Sequence, residues 1–146
     1  NALLDDGRAS MQKLAEKLEV SVTTISYHLD DLEEDGIITG YEPVVDYDKM
    51  GFDVTAIFHL SVSGDLPTAV EKLRSHEKLT AVYETTGDFD IIAIGKFTDT
   101  DAMNDEIKTI LGYSGIEESD TSVALSTDED RPLKLDTDQA AATIAD

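Results

Sequence analysis

The sequence predicts an α+β chain in two parts: an N-terminal (winged) helix-turn-helix domain and a C-terminal ferredoxin-like βαββαβ domain. Three observations carry this. Two short segments with helical spacing of apolar residues stand close together near the start. The composition turns β-branched after residue 36. From residue 53 onward, strand-like and helix-like segments follow in the order β-α-β-β-α-β.

NALLDD (1–6) reads as the end of a first helix. It opens without an initiating Met, so residues ahead of Asn1 are expected, and an address could lie among them. Ser10 can cap a second helix, MQKLAEKL, whose Met11, Leu14, Ala15 and Leu18 share one face. The tight turn LEV follows, and Glu19 occupies a turn position better suited to Gly. Ser21 can cap a third helix through about Glu34, with Val22, Ile25, Leu29 and Leu32 on one face and Gly36 as its stop. The opposite face is polar. A helix pair of this kind reads as helix-turn-helix, although any helical hairpin gives a similar pattern.

IITGYEPVVDYDKMG (37–51) reads as an extended strand and then a linker. VTAIFHLSV (54–62) is strand-like, and DLPTAVEKLRSH (65–76) is helix-like with Pro67 in its first turn. LTAVYETT (79–86) and DIIAIGKF (90–97) are strands joined across GDF. DTDAMNDEIKTIL (99–111) is a helix with Met103, Ile107 and Ile110 inward, and SDTSVALST (119–127) is a last strand. The expected domains are residues 1–40, a strand and linker over 41–52, the ferredoxin-like unit over 53–127 and an acidic tail over 128–146.

The net charge is −21, from 32 acids against 11 Lys plus Arg. The acids are spread along the whole chain rather than gathered in one tail. Such a surface suits a protein kept dissolved in concentrated salt, so a halophilic host is expected. There is no cysteine, which removes disulfides and thiolate chemistry. No run of roughly 18 apolar residues exists, so no membrane partner is expected and the cytoplasm is the default. His28, His59 and His76 sit in separate segments without ligand spacing, so no metal site is expected. No phosphate loop, GxSxG or HExxH occurs, and the chain is read as no enzyme.

One window stands out. VSVTTISYHL (20–29) is polar yet free of Asp and Glu, with Glu19 before it and Asp30, Asp31 after it. A ten-residue gap is not rare in this chain; its coincidence with the third helix gives it weight.

LAEKLEVSVTTISYHLDDLEEDGIITGY, TTGDFDIIAIGKF and GIEESDTSVALS, in this order and spacing, resemble the leucine-responsive and asparagine-regulator (Lrp/AsnC) family over residues 1–127. The third helix departs from that family in lacking Arg and Lys, having SYHLDD instead. The resemblance implies a sequence-specific, DNA-binding transcription regulator that responds to a small metabolite, an amino acid above all. It further implies a homodimer, with assembly to an octamer as a further step, and no other cofactor. Two-fold symmetry would match half-sites about 34–36 Å apart.

In a helix-turn-helix the N-terminal residues of the second helix reach base edges. Those are Ser21, Thr23, Thr24 and Tyr27, with His28 alongside. A carboxylate there would face phosphates about 1.7 Å apart along the duplex axis. The preceding acid-free patch GRASMQKLA offers Arg8, Ser10 and Lys13 to the backbone. Among residues 1–40 the cations are only Arg8, Lys13 and Lys17. Molar salt would remove most of the advantage of cations, so hydroxyl and methyl contacts and a shallow salt slope are expected. The resemblance places the effector at a subunit interface near Thr86, Gly87, Asp88 and Asp90, with Ser122 and Val123 on the opposite side. By itself TTGDFD is equally a hairpin loop. Two rivals remain: an architectural DNA-coating protein without effector, and a tetrapyrrole decarboxylase-like enzyme of the same shape, for which His and Arg are too scattered.

Overall fold

The computed structural model describes residues 1–128 and 132–136. The described residues form two compact units: Asn1–Val44 together with residues 132–136, and Val45–Asp128. Each is described separately.

The first unit holds α1 (Ala2–Asp5), α2 (Met11–Leu18) and α3 (Val22–Glu34). Ser10 and Ser21 cap α2 and α3 as their positions imply, accepting the N–H of Lys13 and Thr24. Leu14, Ala15 and Ile25 form the small core, with Ala2, Leu3, Ala9 and Leu29 against it. The end of α2 explains the tight turn. Val20 N–H donates to the Ala15 carbonyl and Glu19 N–H to that of Glu16, while Glu19 adopts φ 56°, ψ 41°. This is a Schellman turn with glutamate in the left-handed position. The same motif closes α3, where Gly36 at φ 69° supplies the conformation and Ile37 N–H reaches the Leu32 carbonyl.

Residues 132–136 join this unit. Asn1 and Leu135 exchange two hydrogen bonds, at 2.6 and 3.2 Å, and Lys134 pairs with Asp5 at 2.9 Å. The sequence reading treated 128–146 as one tail, and residues 129–131 and 137–146 of it lie outside the described residues. The extended strand expected in 37–51 does not form. Residues 39–46 carry no strand pairing, and the segment ends in a 3-10 turn, Asp48–Met50. β-Branched residues favour extended backbone, but a strand also needs a neighbour for its N–H and C=O groups.

The second unit is a four-stranded antiparallel sheet in the order β2-β3-β1-β4, formed by β1 (Val54–Val62), β2 (Leu79–Glu84), β3 (Ile91–Phe97) and β4 (Ile116–Val123). Helices α4 (Leu66–Arg74) and α5 (Thr100–Leu111) complete the βαββαβ order. Asp65 and Asp99 cap them, and Pro67 sits in the first turn of α4. Ala56, Phe58, Leu60, Ile91, Ala93 and Phe97 face the helices and pack with Val70, Leu73, Met103 and Ile110. Period-2 alternation puts Ile57, His59, Ile92 and Ile94 on the other face.

The last strand differs from expectation. It runs 116–123 rather than 119–127, because Ile116 is the residue that reaches the core and pairs with Val62. Its outward positions are acidic or polar, which hid its start. After Ala124, whose N–H still bonds the Thr55 carbonyl, the chain turns away and Leu125 is fully exposed.

Candidate DNA-binding and effector sites

The first half of α3 presents an exposed surface of Thr23, Tyr27 and His28, with Tyr27 66 % exposed. The rings of Tyr27 and His28 meet edge to face at 6.2 Å. Ile25 and Leu29 tie the opposite side of the helix to α2, which fixes this face outward. Ser21 and Thr24 are less free than the sequence implies. Their hydroxyls bond each other at 2.7 Å while Ser21 caps the helix. Ser10 is likewise committed as the cap of α2.

The cations divide. Lys13 pairs with Asp6 at 2.8 Å, and its ammonium holds the Asp6 carboxyl below the usual carboxylate range. Binding a phosphate would require Lys13 to change partner. The Arg8 main chain also donates to Asp6, at 3.1 Å, but its guanidinium has no acceptor among the described residues. Lys17 and Lys134 both approach Asp5, at 3.4 and 2.9 Å. Lys134, the nearer, is the main cause of the lowered Asp5 pKa.

In the second unit the TTGDFD segment is the β2–β3 turn. Thr86, Gly87 and Asp88 are exposed at its tip, with Gly87 at φ 108°. The turn is pinned at its base. Thr85 N–H bonds the Asp90 carbonyl, the Thr85 hydroxyl bonds the Phe89 carbonyl, and Asp90 N–H bonds the Leu60 carbonyl, each at 2.9 Å. The Asp90 carboxylate accepts Val62 N–H at 2.8 Å, so one of its oxygens is spent on the end of β1.

Ser122 and Val123 lie elsewhere. Ser122 pairs with Ile57 and Val123 with Ala56, near the start of β1, whereas Asp90 stands at its end. Val62 lies five strand steps beyond Ile57, roughly 16 Å. One chain therefore does not bring the two expected halves of the effector site together.

The sequence reading left His59 as a surface or packing residue, and it stands on the open sheet face. His59 pairs in register with Ile92 and Asp120, and Phe89 lies 5.5 Å from it between ring centroids. Its Nδ1 is buried without a hydrogen-bond partner. The alternation of β1 was the available signal, since Phe58 and Leu60 inward place His59 outward. Among the described residues no group of three or more His, Asp and Glu side chains is placed to hold a metal ion. Nor is any described helix long and apolar enough to cross a membrane.

Comparison with known proteins agrees with this geometry. Residues 1–39 match the winged helix-turn-helix DNA-binding model, and residues 55–133 the Lrp/AsnC ligand binding domain. An uncharacterized HTH-type transcriptional regulator of Pyrococcus furiosus is 37 % identical over 124 residues, 84 % of each chain. The HTH-type transcriptional regulator LrpA1 of Halobacterium salinarum is 32 % identical over 117 residues, 79 % of this chain and 82 % of that one. The structure of Escherichia coli AsnC superposes with a TM-score of 0.81 at 28 % identity, covering 90 % of this chain and 91 % of that one. A transcriptional regulator from Neisseria meningitidis solved as an L-Met complex shares the fold, with a TM-score of 0.81 at 21 % identity over 89 % of this chain and 87 % of that one. A reading helix on a capped turn, followed by a βαββαβ ligand-binding unit, makes this chain a DNA-binding transcription regulator responsive to a small metabolite, and it belongs to the Lrp/AsnC family.

Proposed function

We propose that the metabolite is an amino acid, that it binds between two copies of the chain, and that it alters how the dimer holds operator DNA. The observation that carries the DNA side is the exposed, acid-free start of α3 in a chain of net charge −21. Thr23, Tyr27 and His28 would read base edges, while Ser21 and Thr24 shape the helix start. Arg8 would meet the backbone, with Ser10 holding α2 and Lys13 exchanging Asp6 for phosphate. In this reading residues 1–40 bind DNA, 41–52 connect, 53–127 sense and assemble, and 128–146 are appended.

Two features support a homodimer. Ile57, Ile92 and Ile94 sit on a sheet face that α4 and α5 do not cover. The halves of the effector site, Thr86–Asp90 and Ser122–Val123, lie at opposite ends of one sheet, and a second copy can bring them together. Higher assembly to an octamer would use other surfaces. That the Neisseria meningitidis regulator was solved with L-Met supports the amino-acid class. The effector would act by binding one of two dimer arrangements more tightly. The chain works in this reading as a cytoplasmic regulator rather than a catalyst. His28, His59 and His76 sit on different elements, which gives a tetrapyrrole decarboxylase reading nothing to build on.

The acid-rich surface suits work at high salt. Counterion release weakens phosphate-driven binding by about 10³–10⁵-fold between about 50 and 200 mM salt, so a reader without Lys or Arg on α3 gives up little there. Fluorescence anisotropy with the chain's own upstream DNA in about 2 M KCl tests this, with scrambled DNA as control and amino acids added. Preference for the native sequence, shifted by one amino acid, is the expected result. Equal binding to both DNAs would favour the architectural alternative. A steep loss of affinity with rising KCl would overturn the salt argument.

A further inference from the structure

The reading helix α3 carries no Lys or Arg, so it offers DNA no fixed positive charge. His28 is the one residue of α3 that can acquire a charge of that sign, since histidine ordinarily gains or loses its proton near neutrality. His28 is exposed, and among the described residues its ring makes no hydrogen bond or ion pair. It meets the ring of Tyr27 edge to face at 6.2 Å, a neutral neighbour that does not oppose a charge.

The surroundings leave that proton free to respond to DNA. On α3 the acids begin at Asp30, and Asp31 stands about one turn beyond His28 without bonding it. Glu33, further along, accepts the Tyr41 hydroxyl at 2.7 Å. From α1 and α2, which pack against α3, come two opposite pairs: Lys13 holds Asp6 and Lys17 approaches Asp5, so both cations are engaged. Glu16 on α2 and Glu19 at the turn are exposed and bond no imidazole.

DNA changes the balance at this ring. A duplex carries one negative charge per about 1.7 Å of its axis. An imidazolium donates from both ring nitrogens, whereas the neutral ring donates from one. Hydrogen bonds from a charged donor are also roughly twice as strong as neutral ones. The protonated form therefore gains more from the duplex than the neutral form does. Binding and proton uptake are then coupled, each strengthening the other by the same factor.

We propose that His28 binds DNA as imidazolium, so that operator binding takes up a proton and tightens as pH falls. This rests on the reading of α3 as the helix that meets DNA and deepens it. The favoured form is the protonated one. The added affinity is therefore complete below the titration of the free protein and is lost as pH rises through that of the complex. Acidity thus acts on the reading helix itself, apart from the metabolite unit.

The test is fluorescence anisotropy of the full-length chain on its own upstream DNA at about pH 5.5 and about pH 8, with His28→Gln and His28→Lys beside the wild type. His28 is exposed, so both substitutions leave the core untouched. Wild type should bind about fivefold or more tightly at the acid pH. Its log affinity should also fall with log salt more steeply there, by about 0.9. His28→Gln, which cannot ionise, should lose both differences. His28→Lys, charged throughout, should keep the tighter binding at both pH values. Scrambled DNA assigns the acceptor: a gain confined to the native sequence supports a base edge, and an equal gain on both supports phosphate. A pH effect of the same size in His28→Gln would overturn the proposal by giving the proton to another group. Identical salt slopes at the two pH values would overturn it as well. Failure of wild type to bind either DNA at either pH would retire α3 as the reading helix, and the proposal with it.

Discussion

Asp90 accepts the main-chain N–H of Val62 at 2.8 Å, which ties the β2–β3 turn to the end of β1. A carboxylate in a Gly-Asp turn is easily read as a ligand contact. Here it has a structural task first. Asp90→Ala removes the acceptor and leaves a half-buried N–H unpaired, which costs about 1–3 kcal/mol. Asp90→Asn keeps an acceptor oxygen and should recover most of that. Urea unfolding of the two variants checks the difference.

Glu19 holds a left-handed conformation between α2 and α3. A residue with a Cβ pays roughly 1–2 kcal/mol there, whereas glycine does not. Glu19→Gly should stabilise the first unit by up to about 1 kcal/mol, after the entropy that glycine adds to the unfolded chain is set against the gain. Thermal denaturation followed at 222 nm reads this, and a lowered melting temperature would show the strain to be absent.

Gly95 stands on the core face of β3, where a Cβ would lie 2.7 Å from the Phe97 ring and 3.2 Å from Leu79. Phe97 packs edge to face on Phe58 at 6.0 Å and is buried, so it has little room to retreat. Gly95→Ala should destabilise the sheet by about 1–3 kcal/mol through overpacking. A Phe97→Leu background should absorb much of the clash, which a double-mutant cycle would register.

Glu106 of α5 is buried and held by His76 at 2.5 Å and by Lys78 at 3.0 Å. Burial pushes its pKa up, but the hydrogen bonds from Lys78 and His76 outweigh that and hold it below its ordinary 4.5. A carboxyl with a lowered folded pKa contributes its stability above the unfolded value and loses it as pH falls through the folded one. Wild type should therefore lose this contribution below about pH 4.5, on reference carboxyl values. Glu106→Gln should be less stable by about 1–2 kcal/mol at pH 7 and show a flatter pH profile in the acid range. Parallel acid profiles in wild type and variant would sink the point.

Tyr27 is the largest exposed side chain on the acid-free face of α3. Tyr27→Ala should weaken binding to the native operator by about 1–3 kcal/mol, the worth of a good base-edge contact, and leave scrambled DNA nearly unaffected. Equal losses on both DNAs would assign Tyr27 to the backbone instead.

The helices and three strands were legible because their signals are local. Ser10, Ser21, Asp65 and Asp99 cap where a small polar residue precedes an apolar period. β1 and β3 alternate because one face is buried. The start of β4 was not legible, since Ile116 is a lone apolar anchor before an acidic run whose register only β1 can set. Residues 37–51 read as an extended strand and then a linker because propensity says nothing about partners. In the candidate sites, the exposure of Tyr27 was legible from helical period alone. The engagement of Lys13 with Asp6, the anchoring role of Asp90 and the orphaned Nδ1 of His59 were not, because each depends on a partner set by tertiary packing.

Residues 132–136 lie with the first unit although they follow the second in sequence. The effector unit is thus an insertion inside the DNA-binding one, and the latter is discontinuous along the chain. During synthesis α1, α2 and α3 leave the ribosome first, yet the contacts of Asn1 and Asp5 with Leu135 and Lys134 must wait until the whole sheet has been made. The sensing unit can fold on an uninterrupted stretch, while the reading unit is completed only afterwards. A chain cut short before Leu133 would carry a first unit that lacks these closing contacts.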